Sequence, residues 1–160
     1  MSIQVEIKKN LDEDLAKLAN LDLAPAYEEI GQDMVSLVRL GFRLSQDPYG
    51  DKWEPIKIRK GKPLEDTGHL RQSFHADVEN QSVVIGTNVP YASVHQYGAT
   101  IKPVAKKMLA WQIKDIWFFA KQSVIPARPM IPNEDQGLPD SWSESVVDIL
   151  LEHISEAANA

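Results

Sequence analysis

The chain has 160 residues, a formal net charge of −6 and no cysteine, so disulfides and thiolate chemistry are excluded and zinc would need His and carboxylate ligands. Apolar residues make up 43% and charged residues 25%, which is typical of one folded domain, with or without an extended arm, and excludes disorder along the whole chain. No apolar run approaches the ~20 residues that span a bilayer, and the N-terminus lacks the apolar core of a signal peptide, so we expect a soluble protein made in the cytoplasm.

Acidic and basic side chains are segregated along the chain. Residues 11–36 hold seven acidic residues and one lysine, and residues 129–160 hold seven acidic residues and no Lys or Arg. Residues 52–62 hold five basic residues and one acidic residue, and residues 102–128 hold six and one. Two interpretations stay open. These segments are ordinary solvated faces, or basic segments of one copy bind acidic helices of another, head to tail, as in a ring.

Two helices are predicted in the N-terminal third. Asn10 followed by Glu13 resembles a capping box in front of a short helix over about 11–19. A longer helix over 25–45 starts at a proline suited to a first turn, and its apolar residues recur at steps of three and four. It ends before the turn formers of DPYGDKW (47–53). The single apolar stripe predicts that this helix is central to the core.

The middle of the chain predicts short elements. Residues 54–63 indicate an extended, mobile, basic loop. Asp66 or Thr67 can then cap one or two helical turns that place Leu70 and Phe74 inward.

Two strands and a further helix follow. Residues 75–79 and 82–86 alternate as paired strands do. Residues 91–97 indicate a short helix that Gly98 closes in a C-cap position.

The most unusual stretch covers residues 100–125. KKMLAW (106–111) and IWFFAKQSV (116–124) are strand-like and flank a turn near 114–115, which predicts a β-hairpin with ten-residue strands of ~33 Å. The consecutive aromatic residues at 117–119 place apolar groups on both faces of one strand. Either both faces are buried within the chain, or a neighbouring protein covers one of them.

The C-terminal region predicts an irregular segment followed by a helix. IPARPMIP (125–132) is too rich in proline for a helix or an inner strand. Ser141 and Glu144 form a second capping-box candidate, and the apolar positions from Trp142 to Ala157 indicate an amphipathic helix.

No catalytic constellation is found, and one metal site is possible. The four histidines have no metal-ligand spacing, but His69, His75 and His95 could meet in space, so a metal-dependent hydrolase is one alternative function. The other interpretation is that His95 packs beside Tyr91 and hydrogen-bonds a backbone carbonyl. Carboxylate pairs lie on helix faces without an acid–base partner, and neither a Gly-rich phosphate loop nor a nucleophile elbow occurs. We therefore expect no catalytic residue, metal or cofactor.

A second alternative is a DNA-contacting module formed by residues 52–62. Lys57, Arg59 and Lys60 would form a basic loop, and Trp53 could stack on a base. The acidic charge of the whole chain argues against sequence-specific binding of nucleic acid.

Four segments, in this order, resemble one protein family: DPYGDKW (47–53), LEDTGHLRQSF (64–74), IGTNVPYASVHQYGATIKP (85–103) and IPARPMIP (125–132). Together they are similar to the phage virion morphogenesis proteins, the Mu-type family that includes phage tail completion proteins. The resemblance covers roughly residues 25–155. Met130, where the family usually has an aromatic residue, and the acidic stretch 133–140 depart from it.

The predicted elements give an α+β fold. An antiparallel sheet from about 74–88 and 100–124, with a long β-hairpin, should pack on the long helix, with the C-terminal helix beside it. We expect a single virion morphogenesis or tail completion domain over 1–160, with 100–126 as a protruding hairpin arm.

The resemblance implies a structural role without catalysis, in completing or capping the tail or in the head–tail joint. It implies self-association, with a hexameric ring as one candidate, and contact with other phage tail or connector proteins, but with no membrane. The location implied is the host cytoplasm during assembly and then the virion. Residues expected at the subunit interface are Lys102, Lys106, Lys107, Trp111, Trp117, Phe118, Phe119, Lys121 and Arg128.

A second set of positions has structural interpretations. Gly50 and Gly98 would supply a positive φ, and Arg128 could form a salt bridge within the subunit instead of a contact with a neighbour. Trp53, Leu64, Leu70 and Tyr91 would pack around the long helix. The full set of expected structural residues is Gly50, Trp53, Leu64, Gly68, Leu70, Tyr91, His95 and Gly98.

Overall fold

Helices and small sheets alternate along the chain, and the α+β class is confirmed. The computed structural model describes residues 21–57, 60–79, 81–113 and 115–158. The helix expected over 11–19 lies outside the described residues. The helices are α1 (Ala24–Leu44), α2 (His69–Gln72), α3 (Ala92–Tyr97) and α4 (Asp140–Ala158). The strands are β1 (His75–Glu79), β2 (Ser82–Gly86), β3 (Ala99–Ile101), β4 (Leu109–Ile113), β5 (Ile116–Ala120) and β6 (Ser123–Ile125).

Within the described ranges the strands form three separate two-stranded sheets, β1–β2, β3–β6 and β4–β5. The expectation of a single sheet from 74–88 and 100–124 is wrong. Helix α3 separates β2 from β3, and residues 104–108 form bends between β3 and β4. Pro103 lacks the N–H that a strand at this point would need.

The long helix α1 has the predicted position and stripe. Asp22 Oδ1 accepts a hydrogen bond from Ala24 N at 3.0 Å and satisfies one of the N–H groups that a helix start leaves open. Side chains four residues apart form its buried face, each at most 5% exposed: Ala26, Ile30, Met34, Val38 and Phe42. The apolar periodicity therefore identified the face that contacts the core.

Two lysines cap the C-terminal end of α1. Lys52 Nζ donates to Leu44 O at 3.1 Å, and Lys62 Nζ donates to Arg43 O at 2.8 Å. The last carbonyls of a helix lack partners within the helix, and cations interact favourably with that end. Part of the basic loop therefore has a structural role.

The turn after α1 is held by Asp47. Its Oδ1 accepts from Tyr49 N and Asp51 N, both at 2.9 Å. Gly50 has φ 96, which confirms the expected positive φ, since a residue with a Cβ rarely adopts it. A backbone hydrogen bond of 2.9 Å from Trp53 N to Ser45 O then joins the end of the turn to the end of the helix.

The chain forms two compact units, and α1 contributes to both. Of the described residues, one unit contains 21–35, 75–79, 81–85 and 140–158, and the other contains 36–57, 60–74, 86–113 and 115–139. The assignment of a single domain stays a prediction.

In the first unit, α1 packs on the β1–β2 sheet. A Cβ added at Gly31 would lie 3.0 Å from Ala76 Cβ and 3.5 Å from Val83 Cγ1. Helix and sheet therefore approach each other closely because residue 31 has no side chain. This confirms the expected packing of a sheet on the long helix for β1 and β2.

The C-terminal helix α4 also contacts α1 in this unit. Ser145 Oγ donates to Asp33 Oδ2 at 2.6 Å, and His153 Nε2 lies 2.8 Å from Glu29 Oε2. Trp142 is buried. Ser141 lies inside the first turn instead of before it, so the expected capping box is wrong.

Aromatic rings form the core of the second unit. Phe42 is fully buried, with its centroid 5.4 Å from Trp53 and 5.9 Å from Phe74 in edge-on geometry. Leu70 and Phe74 are buried, as predicted. The capping residue of α2 is Gly68, at φ 75.

The expected cap of α2 at Asp66 or Thr67 is therefore displaced by one position. Thr67 Oγ1 still accepts from His69 N at 3.3 Å. The hydroxyl thus contributes to the helix start without occupying the cap position.

Candidate assembly interface

The predicted hairpin exists, but its strands are half the predicted length. β4 and β5 pair antiparallel over five residues each, with Leu109 opposite Ala120 and Trp111 opposite Phe118. β3 and β6 pair separately, with Thr100 opposite Val124. The ten-residue strands are therefore wrong. The arm is not one continuous hairpin, because residues 104–108 interrupt it between β3 and β4 and residues 121–122 interrupt it between β5 and β6.

The β4–β5 hairpin, which we call the arm tip, exposes apolar side chains on both faces. Alternation places Trp111 and Phe118 on one face, where their rings stack at 5.8 Å with planes 14° apart. Trp117 and Phe119 lie on the other face, at 6.4 Å and 22°. Ile116, Trp117, Phe118 and Phe119 are 63%, 58%, 38% and 61% exposed. Of the two expected arrangements, burial of both faces within the chain is therefore excluded.

The arm tip leaves aromatic surface in water on both of its faces. Aromatic side chains bury ~150–250 Å² each, so the exposed fractions of the three aromatic residues at 117–119 leave roughly 300 Å² of ring surface in water. Most of it lies on the Trp117–Phe119 face and the rest on the Phe118 face, and the largest apolar patch of a monomer is often functional.

Basic residues of the arm precede and follow the tip in sequence. Lys102, Lys106, Lys107 and Lys121 are all exposed. None of the four forms an ion pair with another described residue. The arm thus carries exposed lysines next in sequence to exposed aromatic rings, and aromatic residues are enriched in protein interfaces.

Arg128, also expected at the interface, is buried inside its own chain. Its Nε and Nη2 donate to Glu54 O at 3.0 and 2.8 Å. The intramolecular partner is a backbone carbonyl, so the alternative of an intramolecular salt bridge is replaced by a bidentate hydrogen bond. Burial lowers the pKa of Arg128, while the Glu54 carboxylate raises it.

A cavity of about 600 Å³ lies beside β6. We call it the acceptor cavity. Much of its wall is apolar, including Pro55, Ile56, Leu64 and Val124, and Arg128 and His95 also line it. Its volume is within the ~300–1,000 Å³ of typical binding clefts.

His95 contributes a neutral ring to this wall. Burial lowers its pKa below the ordinary value of 6.5, and the charge of Arg128 lowers it further. Its ring packs edge-on against Tyr91 at 6.0 Å, as predicted. The expected bond to a backbone carbonyl is not made by Nδ1, which is buried and has no partner among the described atoms.

The metal alternative is contradicted. Within the described ranges, no group of three or more His, Asp or Glu residues is placed to hold a metal ion. His69, His75 and His95 are all described, so the proposed three-histidine site does not form.

The nucleic-acid alternative loses its stacking residue. Trp53 is buried against Phe42 and its Nε1 donates to Pro129 O at 3.0 Å, so it cannot stack on a base. Lys57 Nζ lies 2.7 Å from Glu54 Oε1. Arg59 lies outside the described residues.

Among the described helices, none has the length and apolarity to cross a membrane.

Comparison with known proteins identifies the family. A profile of the phage virion morphogenesis family matches residues 4–155. The chain belongs to the phage virion morphogenesis family. It is similar to the Mu-like prophage FluMu G protein 2 of Haemophilus influenzae, with 33% identity over 100 residues that cover 61% of the chain and 70% of the relative. No solved structure gives a significant match. The chain therefore has a structural or assembly role in phage particles.

The structure gives physical roles to the segments that resemble the virion morphogenesis family. Trp53 in the first segment donates to Pro129 O in the last. Tyr49 Oη donates to Gly137 O at 2.7 Å and accepts from Asn133 N at 3.0 Å. The first segment therefore fixes the proline-rich segment and the loop after it.

Gln96 makes four hydrogen bonds to the proline-rich segment and the loop after it, and sequence analysis missed this residue. Its Oε1 accepts from Met130 N at 2.8 Å and Ile131 N at 3.3 Å. Its Nε2 donates to Ile131 O at 2.9 Å and Asn133 Oδ1 at 3.2 Å. The available signal was a glutamine on a short helix followed by a proline-rich segment whose backbone groups need side-chain partners.

The remaining structural positions are placed as follows. Gly98 has φ 72, as expected. Leu64 is half-buried in the wall of the acceptor cavity. Tyr91, expected to pack around the long helix, is instead exposed and lines the same cavity.

Proposed function

We propose that this protein is a non-enzymatic structural subunit of the phage tail or of the head–tail joint, and that it self-associates through the arm, residues 100–126. The observation that carries the proposal is the arm tip, which holds stacked aromatic pairs in water on both faces. Burying such surface in an interface is favourable by about 25 cal/mol per Å² before the entropy of association is subtracted.

Charge supports a head-to-tail contact between copies. Helix α4 exposes four carboxylates at four-residue spacing: Glu144, Asp148, Glu152 and Glu156. The lysines of the arm have the opposite sign. Two different complementary surfaces on one subunit give a heterologous interface, which closes into a ring when the rotation permits. A ring, with a hexamer as one candidate, is therefore the proposed assembly.

The polar groups support a structural role instead of catalysis. Gln96 and Arg128 are buried and bind backbone groups of their own chain. Both therefore fix the backbone, and neither is paired with an acid or base that could transfer a proton.

Family membership supports the proposed place of action. The subunit would assemble in the host cytoplasm and remain in the virion, where it completes the tail or joins tail to head. Its partners would be other copies of itself and tail or connector proteins, without a cofactor.

The test replaces the exposed rings of the arm tip. We expect Trp117→Ser combined with Phe119→Ser to weaken self-association by roughly 30-fold or more, because an interface hot spot contributes ~2 kcal/mol or more. Sedimentation velocity of the purified protein measures this loss. Electron microscopy of particles from a lysogen that carries the variant gene should then reveal unjoined heads and tails.

The matched control is Val84→Ser combined with Leu138→Ser, whose side chains are 55% and 48% exposed and belong neither to α4 nor to the arm. It removes comparable apolar exposure elsewhere and should leave association and particle yield unchanged. Normal particles from the arm variant would contradict the proposal.

A further inference from the structure

We infer that the acceptor cavity binds the aromatic arm tip of a second copy of this chain. The inference rests on the proposed function and names the surface that receives the arm. The cavity and the arm tip both lie in the second unit, so every copy carries one of each.

The cavity wall suits an aromatic occupant. Apolar side chains and the ring of Tyr91 form much of it, and His95 adds a neutral ring. Arg128 adds a buried cation whose Nε and Nη2 are already engaged with Glu54 O. Those bonds hold the planar guanidinium in a fixed orientation at the cavity wall, and cations attract aromatic rings.

Backbone strain marks the same wall. Leu64 lines the cavity and has φ 59, a conformation that bulky L-residues rarely adopt. Strain of this kind collects at binding sites, where the surrounding structure holds it in place. Val124, also in the wall, is 65% exposed. The wall therefore combines a residue with a rare backbone conformation and a largely exposed apolar residue.

The arm tip of another copy matches this wall in chemistry and size. The exposed Trp and Phe residues of the described chain are Trp117, Phe118 and Phe119, and all three belong to the arm tip. The Trp117–Phe119 pair is the more exposed of the two stacked pairs, and a cavity of about 600 Å³ is large enough for two rings. Among the described residues that line the cavity, none comes from the tip.

The area that a stable interface buries indicates how much of the arm must be covered by the second copy. A stable interface buries ~800 Å² on each partner, while the three rings expose roughly 300 Å². The contact must therefore extend from the rings to the lysine-bearing stem around them. The cavity lining itself is balanced in formal charge, with Glu54 and Asp66 beside Lys57 and Arg128, so the lysines of the stem would meet carboxylates outside the cavity.

Disulfide trapping tests the contact, because the chain has no cysteine. A Phe119→Cys variant is mixed with a Val124→Cys variant under mild oxidation, and mixed dimers are quantified by mass. The matched control is Val84→Cys, a valine of similar exposure on β2. We expect the Phe119–Val124 dimer to form at least several-fold faster than the Phe119–Val84 dimer. Equal rates, or a preference of Phe119→Cys for itself, would overturn the inference.

Mixing of two defective variants provides the second test. Trp117→Ser with Phe119→Ser disables the tip, and Val124→Asp disables the cavity. Each alone should fail to self-associate, and their mixture should form one-to-one dimers, because one intact tip and one intact cavity remain. Val84→Asp, on β2, controls for the added charge.

The outcomes separate the inference from the proposed function. Unchanged self-association of the tip variant contradicts both. Loss of self-association in the tip variant, but not in Val124→Asp, contradicts the cavity alone and leaves the arm as the interface. In that outcome, another surface or a different protein receives the tip.

Discussion

At the scale of single residues, the buried polar side chains explain what the family segments do. Gln96 and Arg128 are far in sequence from the backbone groups they bind, at separations of 34–37 and 74 residues. A buried polar group without a partner costs ~1–3 kcal/mol, so each depends on its distant partner. These residues hold an extended proline-rich segment that can form no helix or inner strand to satisfy its own backbone.

The first prediction concerns Gln96. Gln96→Leu should lower the free energy of unfolding by about 2 kcal/mol or more, because Met130 N, Ile131 N and Ile131 O lose their partner. Urea denaturation followed by tryptophan fluorescence measures this. Gln122→Leu, at an exposed glutamine, is the control and should change stability by less than about 0.5 kcal/mol. Equal effects of the two changes would mean that the bonds of Gln96 contribute nothing.

Sequence patterns cannot find such residues. The inward positions of α1 follow from a local period of 3.6, and they were predicted. The role of Gln96 depends on a partner more than thirty residues away, and no local pattern records it. Trp53 was expected to pack around the long helix, and only the DNA-contacting alternative had it stack on a base. Sequence alone could not decide between the two, because its burial depends on Phe42 and Pro129 together.

At the scale of elements, strand existence was predictable and strand pairing was not. The aromatic run at 116–119 indicated a strand, and β5 lies there. The same propensities favoured continuing the hairpin to Val124. The bends at 104–108 and 121–122 instead divide the arm into β3–β6 and β4–β5. Pairing depends on contacts between segments, and propensity covers only the segment itself.

The junction between α3 and β3 supports an element-scale prediction. Gly98 has φ 72, and an added Cβ would lie 2.8 Å from Ala127 N and 3.0 Å from Ile125 O. Gly98→Ala should therefore destabilise the fold by about 2 kcal/mol or more, from the backbone conformation and the clash together. Thermal unfolding followed by circular dichroism measures the loss.

Two other glycines separate the effect of a positive φ from the effect of a steric clash. Gly137 has φ 69 in open space, and Gly86 has open space and no positive φ. Gly137→Ala should lower the free energy of unfolding by about 1 kcal/mol, and Gly86→Ala should lower it by less. A tolerated Gly98→Ala would mean that Ala127 moves away without penalty.

At the scale of the whole molecule, charge separates the basic arm from acidic surfaces. The net charge of −6 makes free copies repel each other, whereas in the proposed assembly the lysines of the arm would be attracted to the carboxylates of α4. Composition already predicted this pattern, because the counts along the sequence place the two signs in different segments. Which surface meets which could not be predicted, since it depends on positions in a complex.

Salt should therefore weaken self-association. Raising the salt concentration from about 0.1 M to about 1 M shortens the Debye length from ~10 Å to ~3 Å, and the dissociation constant from sedimentation should rise. Lys106→Ser with Lys107→Ser should weaken association at low salt and remove most of the salt dependence. Stronger association of the wild type at high salt would indicate that apolar burial dominates and that the lysines play no part.

The two-sided arm tip has a consequence for how an assembled particle is joined. In the inferred contact, the cavity would enclose the Trp117–Phe119 face of the arm tip. The opposite face, with Phe118 and Ile116, would then remain exposed to solvent. In a closed ring, that leftover apolar strip would recur once per subunit at equal angular spacing. Many weak, identical contacts on one rigid object act together, so their combined strength greatly exceeds that of any one of them. A partner protein with matching symmetry would therefore bind the ring tightly, although it would bind a single copy only weakly.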